Sequence, residues 1–130
     1  MHKEDTFVIR TAQHLAGLRI EVSGAGSYAN TLAYWKTIVA AVNEQHPRGL
    51  LLIDRTTGDP LTAEQWKSLV EAMAGQGLEN VRIAHVKPLG LQRIEYCELY
   101  AREAGIQARV FTEEPQADIW LRYGESARSA

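Results

Sequence analysis

The sequence predicts an α/β domain around a mixed, mainly parallel sheet, with elements in the order β-β-α-β-α-β-α-β-α. Three observations lead there. Leu50–Ile53 is an unbroken apolar run, which suits a strand covered on both faces. Before it lie two strand-like stretches joined by the short Ala16-Gly17 link, the pattern of an antiparallel hairpin. After it, apolar residues at helical spacing alternate with further short apolar runs. That alternation requires crossover helices, and therefore parallel strands with right-handed connections.

The elements follow in order. Phe7–Gln13 and Leu18–Ser23 form the hairpin, expected at a sheet edge. In the second strand Leu18, Ile20 and Val22 alternate with Arg19, Glu21 and Ser23, giving one buried and one wet face. Gly24 to Ser27 breaks the pattern before a helix from about Tyr28 to Glu44. Its Leu32, Trp35, Ile38, Val39 and Val42 make one stripe, and Pro47 and Gly49 end it. After the central strand, Asp54–Asp59 reads as a polar loop, and Thr62 with Gln65 as a T-x-x-Q capping box. The second helix then carries Trp66, Leu69, Val70 and Met73 on one face and stops at Gly75 or Gly77. Val81–Val86 is the next strand, ended by Lys87 and Pro88. A third helix is expected from about Leu91 to Ala104, with Gly105 just past its end, and Ile106–Phe111 is the last strand. Thr112 is the expected N-cap of a fourth helix, with Glu113 and Glu114 in its first turn and Pro115 where proline is tolerated. Ala117, Trp120 and Leu121 are its packing face. The chain reads as one domain over 1–130, with an ordered core of about 6–123 and a small, polar tail over 124–130.

Composition narrows the function classes. A length of 130 residues supports a single sizeable core. A formal net charge of -2 argues against a protein built to coat nucleic acid or anionic lipid, both of which need a basic surface. Cys97 is the one cysteine, so no internal disulfide can form and a reducing, cytoplasmic setting is expected. Met1–Asp5 lacks the apolar core of a signal peptide, and no stretch approaches the ~18 apolar residues of a membrane span.

Several phrases carry a resemblance when taken in their order. They are Leu50-Leu-Leu-Ile-Asp54 followed by a helix, Arg82-Ile-Ala-His-Val86, and Arg109-Val-Phe111 leading to Ala117-Asp-Ile-Trp-Leu121. From Phe7 to Leu121 the chain resembles the STAS superfamily, most of all its small stand-alone bacterial branch, similar to sporulation anti-sigma-factor antagonists. The resemblance implies helices mainly on one face of the sheet and a non-catalytic, regulatory role in binding a protein partner or a second copy of itself. In the sporulation-type switch a phosphorylatable serine follows an aspartate where the helix after the central strand begins. Here the matching position is Ala63, and Thr62 is explained by its capping role, so phosphorylation at Thr62 is doubtful. The fold is also similar to CRAL-TRIO lipid-binding domains, which implies a binder or carrier of a small apolar ligand as the alternative.

The candidate sites each have two readings. Asp54, Arg55, Thr56, Thr57 and Asp59, with Lys87 and Glu113 at the ends of neighbouring strands, would contact a partner or a small polar ligand at the carboxyl edge of the sheet. Alternatively they form a turn that satisfies its own backbone. Gly24–Ser27 lies where an anion-binding turn would, but lacks the third glycine of a dinucleotide fingerprint and the Lys-Ser/Thr of a phosphate loop. Cys97 reads first as a small buried hydrophobe on the face of Ile94, Ala101 and Ala104, with His85 the one base in plausible reach. Around the third helix Leu89, Tyr96, Leu99 and Tyr100 widen the apolar arc, so either neighbouring helices cover it or it meets another chain. Trp35, Trp66 and Trp120 read as core. No metal-ligand cluster, paired-carboxylate spacing or nucleophile elbow points to an enzyme or a cofactor. Because Leu50–Ile53 is apolar on both sides, the N-terminal segment, a second subunit or an apolar ligand is expected to shield the second face.

Overall fold

The computed structural model describes residues 6–124. Its sheet has five strands in the order β1-β2-β3-β4-β5. They are β1 (Phe7–His14), β2 (Gly17–Ala25), β3 (Gly49–Thr57), β4 (Arg82–Val86) and β5 (Ala108–Phe111). β1 and β2 form the expected antiparallel hairpin at one edge, and every later neighbour is parallel. The central run Leu50–Ile53 is therefore in mid-sheet, with its side chains almost wholly buried.

Strand order dictates where the helices go. Each parallel strand is laid down beside the previous one and always in the same direction, so right-handed crossovers put every connecting helix on the same face. Those helices are α1 (Tyr28–Gln45), α2 (Ala63–Met73) and α3 (Tyr96–Glu103). Their Tyr34, Trp35, Ile38, Trp66, Leu69, Met73, Cys97 and Ala101 bury Leu18, Ile20, Val22, Leu50, Leu52 and Ile83. α4 (Glu114–Tyr123) follows the last strand and crosses to nothing, so it is free to take the other face. There Ala117, Trp120 and Leu121 cover Leu51, Ile53, Ala84, Val86 and Phe111 in a second core. The shield expected from an N-terminal segment, a second subunit or a ligand is thus supplied by α4. Its first turn is tied down by Glu114, which accepts from Arg19 Nε and Nη2 at 3.1 Å each.

Several expected boundaries move. β3 continues through Thr57, so Asp54, Arg55, Thr56 and Thr57 belong to a strand rather than a loop. The cause is β2, which runs on to Ala25 and pairs Val22 with Asp54 and Ala25 with Thr57. α3 begins at Tyr96 rather than near Leu91, because Pro88, a left-handed Gly90 (φ 126°) and the Glu95 carboxylate give 87–95 its own geometry. Ile94, expected on the packing face, precedes the helix and is exposed. β5 starts at Ala108 rather than Ile106, and the N-cap position of α4 is Glu113 rather than Thr112, with no side-chain cap hydrogen bond. α2 ends at Met73, after which a 3-10 turn over Leu78–Asn80 leads into β4. The Thr62–Gln65 capping box is present in both directions, and all three tryptophans are buried. Of the expected tail, 125–130 lies outside the described residues.

Candidate functional site

At the carboxyl ends of β3 and β4 the α1–α3 face opens into a pocket of about 110 Å³. Asp54, Thr56, Tyr34 and Lys87 line it together with Trp66 and Glu95. Side chains alternate along a strand, so Leu50, Leu52 and Asp54 face the helices, as do Ile83 and His85 of β4. Asp54 is a charge carried at the end of an otherwise apolar stripe. A charge that deep must be paired and hydrogen-bonded.

Both carboxylate oxygens are occupied. Oδ1 accepts from the Thr56 N–H at 3.0 Å and from the Thr56 hydroxyl at 2.5 Å. Oδ2 lies 2.8 Å from His85 Nε2. Burial alone would push the Asp54 pKa up, but His85 and Thr56 together hold it well below the usual carboxylate range. Burial likewise works against a charged His85, yet the bond to Asp54 and the interaction with the Cys97 thiol lift its pKa to about 9. Tyr34, wholly buried beside them, has its pKa raised by burial and by the Asp54 charge.

A second polar centre borders the pocket. Glu95 Oε1 accepts from Lys87 Nζ at 2.5 Å and from Cys97 Sγ at 3.6 Å, while its Oε2 accepts the Gln92 N–H. The carboxylate thereby joins both ends of the 87–95 connection. Lys87 also lies over the Trp66 ring, 5.5 Å from its centroid. Its pKa is raised overall: burial opposes the charge, but the neighbouring Cys97, Glu95 and Asp54 favour it. Gly26 also lines the pocket, where an added Cβ would meet the Thr56 hydroxyl at 2.9 Å.

The expected site residues are only partly brought together. Asp54, Thr56, Thr57, Asp59 and Lys87 all line the pocket. Arg55 points to the opposite face, where its Nε donates to Glu21 at 2.8 Å. Glu113 is the cap of α4 and is not part of the pocket wall. Thr62 Oγ1 is engaged by the Gln65 N–H at 3.1 Å. Ser27 of the Gly24–Ser27 turn caps α1, accepting from the Asn30 N–H. Sequence reasoning missed Glu95 and the Asp54–His85 pairing. A polar residue on each of two adjacent buried strands was a signal for the pair; for Glu95, whose partners depend on a loop path, there was none.

The lip of the pocket is apolar. Eight large apolar side chains are exposed among the described residues, and four of them, Leu89, Leu91, Ile94 and Leu99, lie on the 87–95 connection and α3. Tyr96 and Tyr100, half-buried, stack beside them with ring centroids 6.1 Å apart. Of the four expected interface residues, Leu89 and Leu99 are therefore open to solvent, at 64% and 47%, and the two tyrosines are partly covered. Among the described residues no group of His, Cys, Asp and Glu could hold a metal ion, and no helix is long and apolar enough to cross a membrane. Compared with known proteins, the chain matches no family model, and no curated protein matches it.

Proposed function

We propose that this chain is a non-catalytic, STAS-like interaction module that binds its partner, a protein or a second copy of itself, at the lip formed by 87–95 and the start of α3. The observation that supports this reading is the clustering of exposed Leu89, Leu91, Ile94 and Leu99 along the stretch 89–99, since grouped exposed apolar side chains mark an interaction surface. The pocket behind the lip supports a binding rather than a chemical role. Asp54 and Glu95 have their oxygens committed to Thr56, His85, Lys87 and Gln92, which makes them struts for the surface. The test compares wild type with Leu89→Ser/Leu99→Ser by analytical ultracentrifugation and affinity capture. A dimer or a captured partner that is lost in the folded variant supports the reading; identical behaviour of the two proteins overturns it.

A second reading, a carrier of a small apolar ligand, is favoured by one feature. Between the sheet and α2 and α3 lies a cavity of about 40 Å³ walled by Trp35, Trp66, Leu69, Met73, Ile83 and Ala108 among others. It has room for about three water-sized bodies, so a larger ligand enters only if α2 and α3 move away from the sheet. Native mass spectrometry of freshly purified protein tests it: extra mass that extracts into organic solvent supports a carrier.

A further inference from the structure

The sheet ends in two unlike edges. β5 is only four residues long, and its backbone is already engaged: Glu98 Oε1 accepts the Val110 N–H at 2.8 Å, and the Ile106 carbonyl accepts the Ala108 N–H at 3.0 Å. β1, at the other end, runs for eight residues in unbroken register with β2. In an antiparallel pair every second residue turns its N–H and C=O toward the partner strand, and those between turn theirs away. The Thr6 carbonyl accepts the Ala25 N–H across the hairpin, which makes the even-numbered residues the inward ones. Phe7, Ile9, Thr11 and Gln13 therefore present their backbone groups outward, and among the described residues no backbone group pairs with them. Proteins ordinarily guard such an edge with proline, lysine, a bulge or a charge turned toward the core. β1 has none of these: Phe7 and Ile9 pack on the α1–α3 core, while Arg10 is exposed on the opposite face. Thr11, Ala12 and Gln13 are exposed too, so neither helix layer closes the approach.

We infer that this edge pairs with the same edge of a second copy, β1 antiparallel to β1, joining two five-stranded sheets into one. The strand's fit to itself selects a second copy over an unrelated peptide. Two-fold symmetry gives every residue a fixed opposite number, and outward-facing residues must meet outward-facing ones. The register that sets Ile9 against Thr11 brings Arg10 directly onto the other Arg10, where like charges repel. Moved one step along, Thr11 meets Thr11 on the axis, Ile9 meets Gln13, Arg10 meets Ala12 and Val8 meets His14. Pairing then extends from Val8 to His14 around a central threonine pair, and each Arg10 keeps Glu21 beside it across its own hairpin. Moved one step the other way, only Phe7 to Thr11 pair. The favoured register also covers Val8, which is 52% exposed in the single chain. The axis stands perpendicular to the sheet, so α1–α3 of both copies share one side and both α4 helices the other. β1 and the 87–95 connection, which follows β4, lie on different parts of the sheet, so this contact is separate from the apolar lip.

The experiment is sedimentation velocity of the whole chain at concentrations up to about 1 mM, beside variants at the axis. The wild type is expected to dimerise. Thr11→Pro removes an N–H that the hairpin does not use, and Thr11→Lys sets two ammonium groups against each other. Each is expected to raise the dimer dissociation constant at least about fivefold, with the circular dichroism spectrum unchanged. Thr11→Cys in a Cys97→Ala chain is expected to form a disulfide between copies, because a hydrogen-bonded pair spans about 5.5 Å between Cα atoms, within the reach of that bond. A wild type that sediments as a monomer throughout overturns the inference, as does a dimer that forms no disulfide at position 11. A dimer of unchanged affinity in both the proline and lysine variants overturns it as well; if Leu89→Ser/Leu99→Ser abolishes that dimer, the contact belongs to the lip. Should Thr11→Pro disturb the hairpin, Thr11→Lys, substituted at an exposed side chain, still decides.

Discussion

Raising the pH strips the proton that His85 shares with Asp54, and the cost can be worked from the geometry. His85 has a pKa near 6.5 when unfolded and about 9 in the folded protein. Between those values the folded state binds one proton more than the unfolded state, so stability falls by about 1.4 kcal/mol per pH unit. Across the window the loss comes to about 3 kcal/mol, a large part of a typical domain's stability. The sign is fixed by the direction of the shift: a raised histidine stabilises fully below pH 6.5 and ceases to do so as pH passes 9. Asp54 works in the opposite sense. Its pKa is depressed from 3.8, so its contribution is present above that value and fades as acid protonates it. Stability from the pair should therefore be greatest from about pH 4 to 6.5. Tyr34 and Lys87, both raised from starting values of 10.0 and 10.5, titrate beyond this range. Urea unfolding at intervals from pH 5.5 to 9, with the His85 ring followed by NMR, measures the slope directly. The double variant Asp54→Asn/His85→Gln should lack it. A wild-type stability that is level between pH 6.5 and 9 would refute a charged pair at the base of the pocket.

Two further outcomes are expected. Trp120→Ala uncovers the second core over Ile53, Ala84 and Val86 and should cost about 3–5 kcal/mol, read as a fall in the thermal midpoint of about 10–20 °C. Thr62→Ala removes one half of a capping box that is intact in both directions and should cost about 1 kcal/mol by urea unfolding, with the exposed site leaving the slope of the transition unchanged.

The fold was legible wherever the signal was local. Alternation in Leu18–Ser23, the apolar run at Leu50 and the stripe from Trp66 to Met73 each depend on residues a few positions apart, and each element formed. The sequence also showed that Leu50–Ile53 must be covered twice. What covers the second face follows from connectivity rather than composition: with three crossovers confined to one side, the helix after the last strand is the element left over. The start of α3 was misread because Leu91 and Ile94 keep helical spacing with Ala101. That spacing is local, while the interaction that sets the connection apart, Glu95 with Lys87 and the Gln92 N–H, is not. Asp54 was misplaced into a loop for the same reason. Charge ends most strands, but here the parallel neighbour continues and His85 supplies the missing partner.

A pocket opens at the sheet edge where the candidate site was expected, but not for the reason that led there. Ligands gather at the carboxyl edge of open α/β sheets mainly where strand order reverses and two connections part to leave a crevice. This sheet never reverses, so no such crevice exists. The pocket arises instead because β3 outruns β4: β3 continues to Thr57 while β4 stops at Val86, and the chain from Lys87 to Glu95 must bridge the step. Held at both ends by one carboxylate, that bridge has few inward contacts to make and turns Leu89, Leu91 and Ile94 outward. A surface built in this way depends on Glu95 more than on any residue it displays. Glu95 in turn touches Cys97, which shares a cavity wall with His85, the partner of Asp54. The apolar lip and the buried charges are therefore one mechanical unit, and a chemical change at any member should be felt at the others.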